Sequence, residues 1–360
     1  MSLTLSVLDQ SPVRSGSTAL AAIDETISLA QSAEALGYAR YWLAEHHGTD
    51  GLAGCSPEVL LARIGAVTRD IRIGSGGVML SHYSPLKVAE NFALLSTMYP
   101  GRVDLGLGRA PGGDQLTAQA MLYGSNIGVE YYPAKVMDVK SLLYGSAAAN
   151  QGLSRVKVTP RPDLPPEMWL LGSSADSATL AAQFGLPFSF AHFINPVRPE
   201  RIVEHYRQTF KPSDILKKPQ VSICVFAICA ETKEEADRLA SSGALWRVML
   251  EKGALGPFPS PEEAEAYPYT DAERRSAEAG KRRGIVGNPV TVKTQIEAMA
   301  ASCNVEEVMV VTIWTSKKAK TVIETGINLS RQGEGHERFQ PNTLSRLVVR
   351  AAMGINVGIS

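Results

Sequence analysis

Cysteine is scarce in this chain, and its four cysteines are far apart. Cys55, Cys224, Cys229 and Cys303 form no C-x-x-C pair. A structural zinc site needs closely spaced thiolates, and a disulfide framework is typical of short secreted chains that are rich in cysteine. We therefore expect a reduced, cytoplasmic protein without a structural metal.

Long apolar runs and an excess of one charge are also missing. No stretch reaches the roughly eighteen apolar residues of a membrane span, and MSLTLSVLDQ lacks the basic start of a signal peptide. The 36 Lys and Arg residues balance 36 Asp and Glu residues, and the basic segment GKRRG at 280–284 is short. We expect neither a membrane protein nor a nucleic-acid-binding protein.

A dinucleotide-binding motif is absent as well. Glycines are frequent in IGSGGVML and DLGLGRAPGGD, but no G-x-G-x-x-G opens a helix there. This argues against a Rossmann-type NAD site. Glycines within strands indicate either close approach of the backbone to a flat ligand or crowded packing. The sequence leaves both readings open.

What the sequence contains is an alternation of apolar strands and amphipathic helices. Strands are predicted at 5–9, 38–46, 71–80, 102–110, 168–174, 188–195, 221–229 and 306–314. Helices are predicted at 19–37, 56–68, 84–100, 175–185, 199–210, 232–252, 289–302 and near 317–330. Eight strands interleaved with helices predict an α/β fold, a (β/α)₈ TIM barrel, with a doubly wound open sheet as the alternative.

Two long segments interrupt this alternation. We expect one barrel domain at 1–330, with insertions at 111–166 and 253–288, followed by a C-terminal extension at 331–360. The second insertion is polar and rich in Pro and Gly, and so long a segment is typical of a lid or of a disordered loop.

Several polar residues follow the predicted strands. The carboxyl ends of barrel strands carry the chemistry of TIM barrels. The residues expected there are Glu45, His46, His47, His82, Arg109, Ser173, Ser174, His192 and Asn195. The paired histidines therefore belong at the mouth of the barrel.

A metal site is not expected at this mouth. Barrel metallohydrolases commonly place an H-x-H on the first strand, whereas the first strand here, LSVLDQS, contains no histidine. Adjacent residues of a strand also point to opposite faces, so His46 and His47 should not share one ion. The paired histidines therefore do not predict a metal.

An anion site is one interpretation of the segment GSSADSATLAA at 172–182. Ser173, Ser174 and Ser177 lie where a strand gives way to a helix, and the free N–H groups of a helix start bind anions. Simple capping by Ser174 explains the same serines. Arg109, a permanent cation at a neighbouring strand end, favours a bound phosphate.

Five segments, in order along the chain, resemble those of one family. They are WLAEHHG, IGSGGVMLSHYSPLKVAE, GRVDLGLGRAPGGD, LLGSSADSA and IVGNPVTVKTQIEAM. Together they are similar to the bacterial luciferase-like flavin-dependent monooxygenases, over about residues 5–325. The tail falls outside this resemblance.

The resemblance implies roles for particular residues. His46 corresponds to the active-site histidine beside the flavin, and Gly76-Gly77 to a pair joined by a non-proline cis peptide against the ring. Arg109, Ser174 and Ser177 correspond to positions around the flavin phosphate. His192 stands where light-emitting members carry a tryptophan, and 253–288 corresponds to a mobile lid. His82 and Asn195 are expected to face the substrate or the lid.

The resemblance also implies the activity. Such enzymes take reduced FMN from a separate flavin reductase, react it with O₂ at carbon 4a, and oxygenate a small organic substrate; many are homodimers. His46, with an ordinary pKa near 6.5, would hold or move a proton. Hydride transfer with the deazaflavin F420, a non-catalytic flavin-binding barrel and a barrel hydrolase remain as alternatives. The substrate itself cannot be read from these segments.

Overall fold

The computed structural model describes residues 3–110, 112–125, 127–146, 150–254 and 256–311. The predicted helix near 317–330 and the extension 331–360 lie outside the described residues. Of the predicted eighth strand, the part up to residue 311 is described.

Nine parallel strands in the described part of the chain form the sheet. They are β1 (Thr4–Asp9), β2 (Arg40–Leu43), β3 (Arg72–Met79), β4 (Val103–Gly108), β5 (Glu167–Gly172), β6 (Phe188–Ala191), β7 (Val221–Cys229), β8 (Ile285–Gly287) and β9 (Glu307–Val311). Consecutive strands pair from β1 to β7, β7 pairs with β9, and β9 pairs with β1. Eight strands therefore close into a barrel, which confirms the predicted TIM barrel and excludes the open sheet. The short β8 pairs with the end of β7 at Ala227–Cys229.

Eleven α-helices in the described residues accompany these strands. They are α1 (Ala19–Ala35), α2 (Pro57–Val67), α3 (Pro85–Met98), α4 (Gln115–Leu122), α5 (Tyr132–Tyr144), α6 (Ala175–Phe184), α7 (Pro199–Thr209), α8 (Lys233–Glu251), α9 (Pro261–Ala266), α10 (Asp271–Lys281) and α11 (Pro289–Cys303). Their starts follow local chemistry. The Thr18 hydroxyl accepts the amide of Ala21, and Pro57 and Pro85 occupy first-turn positions where a missing N–H costs nothing.

The two segments expected as insertions both contain helices. Within 111–166, α5 packs against α3 and is the barrel helix between β4 and β5, so this segment is partly barrel framework. Within 253–288, α9 and α10 pack on α8, and β8 extends the sheet. The sequence pattern did not predict these elements, because α10 has an exposed, highly charged face and α4 has no buried residue.

The amino ends of the strands enclose a cluster of charges. The fully buried Asp104 accepts from Arg40 Nη1 at 2.8 Å and from Trp42 Nε1 at 2.9 Å, and it also pairs with Arg72. Glu167 and Glu307 complete the cluster, at 3.3 and 3.1 Å from Arg40. Buried charges persist only when they are paired and hydrogen-bonded. Every member begins or nearly begins a strand, so this end of the barrel is closed by ion pairs.

An apolar layer lies above these ion pairs. Trp42 and Trp169 meet edge to face with ring centroids 5.5 Å apart, and Leu8, Cys224 and Met309 pack around them. Close packing of such large side chains leaves little room in the middle of the barrel. A ligand site must therefore lie at the opposite end, where the strands finish.

Candidate active site

A cavity of about 650 Å³ lies at the carboxyl ends of the strands. Its walls come from the residues after β1, β2, β4 and β6, from the end of β7, and from α8, α10 and β8. Apolar side chains dominate it, among them Phe193, Phe226, Leu239, Trp246 and Ile285. A largely apolar pocket with a few polar groups is typical of a small-molecule site.

Backbone hydrogen bonds hold the paired histidines at this cavity. The strand β2 ends at Leu43, and the amide of His46 then donates to Gly54 O at 2.9 Å. The amide of His47 donates to Gly112 O, also at 2.9 Å. Both side chains line the cavity. They lie in a loop and not in the strand, so the strand alternation on which the expectation of opposite directions rested does not apply to them.

His46 is partly buried and uncharged at neutral pH. Burial, followed by the neighbouring His47, lowers the pKa of His46 from 6.5 to about 4. Its Nδ1 is buried without a hydrogen-bond partner among the described residues. A buried polar atom in this state offers a hydrogen bond to a ligand. The expected role in proton transfer is thus limited to a neutral imidazole.

Glu45 fixes the second histidine. This buried carboxylate lies 2.8 Å from His47 Nε2, and it accepts from the Tyr83 hydroxyl at 2.6 Å and from the Met79 amide at 3.0 Å. Burial and the bond to Glu45 raise the pKa of Tyr83 far above its usual range, so that the phenol stays a donor. Glu45 therefore orients a neighbour, as expected, and that neighbour is His47.

The start of α6 uses its serines for capping. Ser174 Oγ accepts the Ser177 amide at 3.4 Å, and Ser177 Oγ lies 3.2 Å from the Ser174 amide and 2.7 Å from its carbonyl oxygen. The capping interpretation is therefore confirmed. It leaves the first-turn amides of Ala175 and Asp176 without intrahelical acceptors, although the Asp176 carboxylate opposes an anion there.

Arg109 follows β4, the strand that neighbours β5 in the barrel. The register of β4 against β5 pairs Leu107 with Leu170, so the residues that follow each strand leave the barrel at neighbouring places. Arg109 is exposed, and it acts electrostatically on the buried Tyr132. An exposed guanidinium next to free amides is compatible with phosphate binding.

The two glycines within β3 are joined by a cis peptide bond. Gly76-Gly77 is a non-proline cis peptide, as the resemblance implied, and the pairing with β4 shifts between Gly76 and Val78. A Cβ at Gly76 would lie 2.5 Å from Leu8 Cδ1, and a Cβ at Gly77 would lie 2.8 Å from Gly106 O. At Gly77 the nearby backbone oxygen requires glycine irrespective of any ligand, whereas at Gly76 the close atom is the end of the flexible Leu8 side chain.

The remaining predicted residues lie at the same rim but are not part of the described cavity lining. His192 follows β6 and is buried, which lowers its pKa, and its Nδ1 has no partner among the described residues. Asn195 ties the β6 loop to the end of β5 by donating to Ser173 O at 2.9 Å. His82 ends a short 3₁₀ helix after β3 and packs edge to face on Tyr83. Asn195 thus has a structural role.

Several cavity residues escaped prediction. The wall from α8, α10 and β8 includes Trp246, Arg247, Lys281 and Arg283. Trp246 and Arg247 lie on α8 without a motif, and the basic segment GKRRG, which contains Lys281 and Arg283, did not indicate a ligand site. Their common position at the cavity depends on the packing of α10 against α8.

Within the part of the chain that the structure describes, no cluster of three or more His, Cys, Asp or Glu side chains could hold a metal ion. No helix in the same residues combines the length and the apolarity needed to cross a bilayer.

Comparison with known proteins identifies the family. The family described as luciferase-like monooxygenase matches residues 1–304. YceB of Bacillus subtilis, an uncharacterised protein, is 42% identical over 306 residues, which are 85% of this chain and 92% of that protein. The N-acetyl-S-alkylcysteine monooxygenase of the same organism is 37% identical over 313 residues, 86% of this chain and 92% of that protein.

A solved structure agrees with these sequence matches. The crystal structure of apo-MsnO8 superposes with a TM-score of 0.82 at 33% identity, covering 92% of this chain and all of the other. The chain belongs to the luciferase-like monooxygenase family.

Proposed function

We propose that this protein is a flavin-dependent monooxygenase that uses O₂ and reduced FMN, supplied by a separate reductase, to oxygenate a small organic substrate. One observation carries the proposal beyond family membership. A largely apolar cavity of about 650 Å³ at the strand ends has a neutral, partly buried imidazole on its wall. Such a cavity suits oxygen chemistry that water would divert.

The residues at the rim fit a flavin. Nδ1 of His46 and Nδ1 of His192 are buried hydrogen-bonding atoms without partners among the described residues. Since β2 and β6 are four strands apart in a ring of eight, these histidines approach the mouth from opposite sides. The α6 start and Arg109 supply free amides and a cation for the phosphate. His46, His192, Arg109 and the α6 amides are therefore the residues proposed to hold FMN.

Reduced FMN bound there would supply the electrons that activate O₂. The protein's part is to exclude water and to manage protons. Phe193, Phe226 and Trp246 make the wall apolar. His46 carries no proton at neutral pH because its pKa is about 4, so it accepts a hydrogen bond or a proton at one ring nitrogen.

His47 offers a second proton-handling group. Its Nε2 faces the buried Glu45 carboxylate, which fixes a proton on Nε2 and leaves Nδ1 as the variable atom. A carboxylate behind an imidazole also fixes the orientation of the ring. We propose that His47 donates protons at the cavity wall, whereas His46 remains neutral.

The decisive experiment is an oxygen-free titration with reduced FMN, followed by admission of air. We expect saturable binding and slower hydrogen peroxide formation than from the same amount of free reduced FMN, because the apolar wall excludes water. Failure to bind reduced FMN, or hydrogen peroxide formation as fast as from free reduced FMN, would contradict the proposal.

The same protein preparation tests whether F420 is the cofactor in place of FMN. Reduced F420 is added in place of reduced FMN, and oxygen uptake is followed with an electrode. Tight binding of reduced F420 without oxygen uptake would favour hydride transfer. Flavin binding without any turnover across a panel that includes N-acetyl-S-alkylcysteines would favour a non-catalytic protein. Gel filtration tests the proposed homodimer.

A further inference from the structure

We propose that the cavity binds an organic anion, a carboxylate with an apolar body, whose charged group pairs with Arg247 and Arg283. That this anion is the substrate to be oxygenated rests on the proposed function. Its binding can be measured without flavin or oxygen.

Two helices bring the cations together. Arg247 lies on α8, and Lys281 and Arg283 lie at and just after the end of α10. A Cβ at Gly280 would be 3.3 Å from Arg247 Cδ, so the stem of Arg247 runs closely over the last turn of α10. All three cations line the cavity and are partly buried.

Their charges are poorly compensated. Arg247 Nε is 3.8 Å from Glu251 Oε1, and Lys281 Nζ is 3.7 Å from Glu278 Oε1. Both distances exceed those of a good charge-assisted hydrogen bond. For Arg283, no ion pair is found among the described residues. Burial first, and then the charge of Arg283, lowers the pKa of Arg247, which shows that the two guanidinium groups repel each other.

The described lining supplies no free carboxylate to balance them. Asp114 also lines the cavity, but its carboxylate caps α4 by accepting from the amides of Leu116 and Thr117 and from the Thr117 hydroxyl. Partly desolvated like charges are costly unless an anion pairs with them. A ligand carboxylate would relieve this cost, and guanidinium groups bind carboxylates with two parallel bonds.

The apolar wall next to these cations indicates that the rest of the ligand is apolar. Phe226, Leu239, Trp246 and Ile285 line the same cavity. The serines at the start of α6, proposed for the flavin phosphate, are not among the described lining residues. The cationic pair is therefore separate from the phosphate site and belongs to the substrate.

The test measures binding of octanoate, hexanoate and phenylacetate to the full-length protein by calorimetry, with octanamide as the neutral analogue of octanoate. Arg247→Gln and Arg283→Gln should each weaken octanoate binding about 10- to 100-fold, as expected for a charge-assisted hydrogen bond. Octanamide binding and the midpoint of thermal unfolding should change little.

Arg282→Gln is the matched control, because Arg282 adjoins Arg283 but is exposed and outside the described lining. It should bind octanoate like the wild type. FMN and riboflavin titrations accompany each variant. Equal binding of octanoate and octanamide, an Arg282→Gln effect as large as that of Arg283→Gln, or saturable binding of none of the three carboxylates would overturn the proposal. If Arg247→Gln and Arg283→Gln lowered the affinity for FMN but not for octanoate, the two arginines would belong to the FMN phosphate site, and the proposal would also be overturned.

Discussion

Nε2 of His47 lies 2.8 Å from Oε1 of Glu45, and the carboxylate is 2% exposed. The same carboxylate accepts bonds from the strand after it, through the Met79 amide, and from Tyr83. One buried side chain thus joins the β2 loop to the end of β3 and holds an imidazole at the cavity wall.

Replacing Glu45 should affect both stability and catalysis. Glu45→Ala leaves the Met79 amide, the Tyr83 hydroxyl and His47 Nε2 without their acceptor, and we expect a loss of about 2–4 kcal/mol in the free energy of unfolding. Glu45→Gln should lose less stability but should lower kcat, because the amide replaces one acceptor oxygen by a donor and disturbs the position of His47. Urea denaturation and oxygen-uptake assays check this, with exposed Glu231→Gln as the control. Unchanged kcat in Glu45→Gln would remove Glu45 from the positioning of His47.

His46→Ala tests the role of the neutral imidazole. We expect the variant to bind reduced FMN but to lose roughly 10²–10⁴-fold in oxygenation rate if acid–base work is its role. Binding titrations and product formation are measured in the same preparation. Undiminished turnover would remove His46 from the chemistry.

The low pKa of His46 also predicts a pH dependence of stability. Between pH 6.5 and about 4 the unfolded chain binds a proton that the folded protein does not. The free energy of unfolding therefore falls as the pH falls through this window, by at most about 2 kcal/mol between pH 7 and pH 5 from this group. Urea denaturation at several pH values should show this decrease in the wild type and a smaller one in His46→Gln. Identical decreases would show that His46 titrates normally.

Ser174→Asp separates capping from phosphate binding. Aspartate caps helices as well as serine does, so stability should change by less than about 0.5 kcal/mol. Its negative charge should nevertheless repel the flavin phosphate, and FMN affinity should fall about 10-fold or more while riboflavin affinity stays constant. If FMN and riboflavin affinities respond alike, the start of α6 is not the phosphate site.

Arg109→Ala should weaken FMN binding in the same selective manner. The variant removes one exposed cation beside the α6 start, and we expect an FMN affinity about 10-fold lower at low ionic strength. Because riboflavin lacks the phosphate, its affinity serves as the internal control. An unchanged FMN titration would discard this assignment.

The barrel was predictable because its strands are short apolar runs separated by helices with clear caps. Ser56-Pro57 and Ser84-Pro85 marked helix starts that the structure confirms at Pro57 and Pro85. The boundaries were less certain. The predicted second strand continued to His46, whereas β2 ends at Leu43, so the alternation of a strand does not apply to the paired histidines.

The rest depended on contacts between residues distant in sequence. Arg40 meets Glu307 across 267 positions, and no local pattern predicts such an ion pair. Arg247 and Arg283 likewise come together because α10 folds back on α8. The partner of Glu45 was ambiguous for another reason: adjacent histidines in a loop have no fixed alternation of direction.

The ion pairs at the amino ends of the strands have a consequence for the evolution of this protein. Arg40, Asp104 and Glu307 secure the barrel at the pole farthest from the cavity. Substitutions on the cavity wall then leave that anchorage untouched, so new ligand preferences can be acquired with little loss of folding. Tolerance of this kind allows one scaffold to serve many chemistries while its base remains the same.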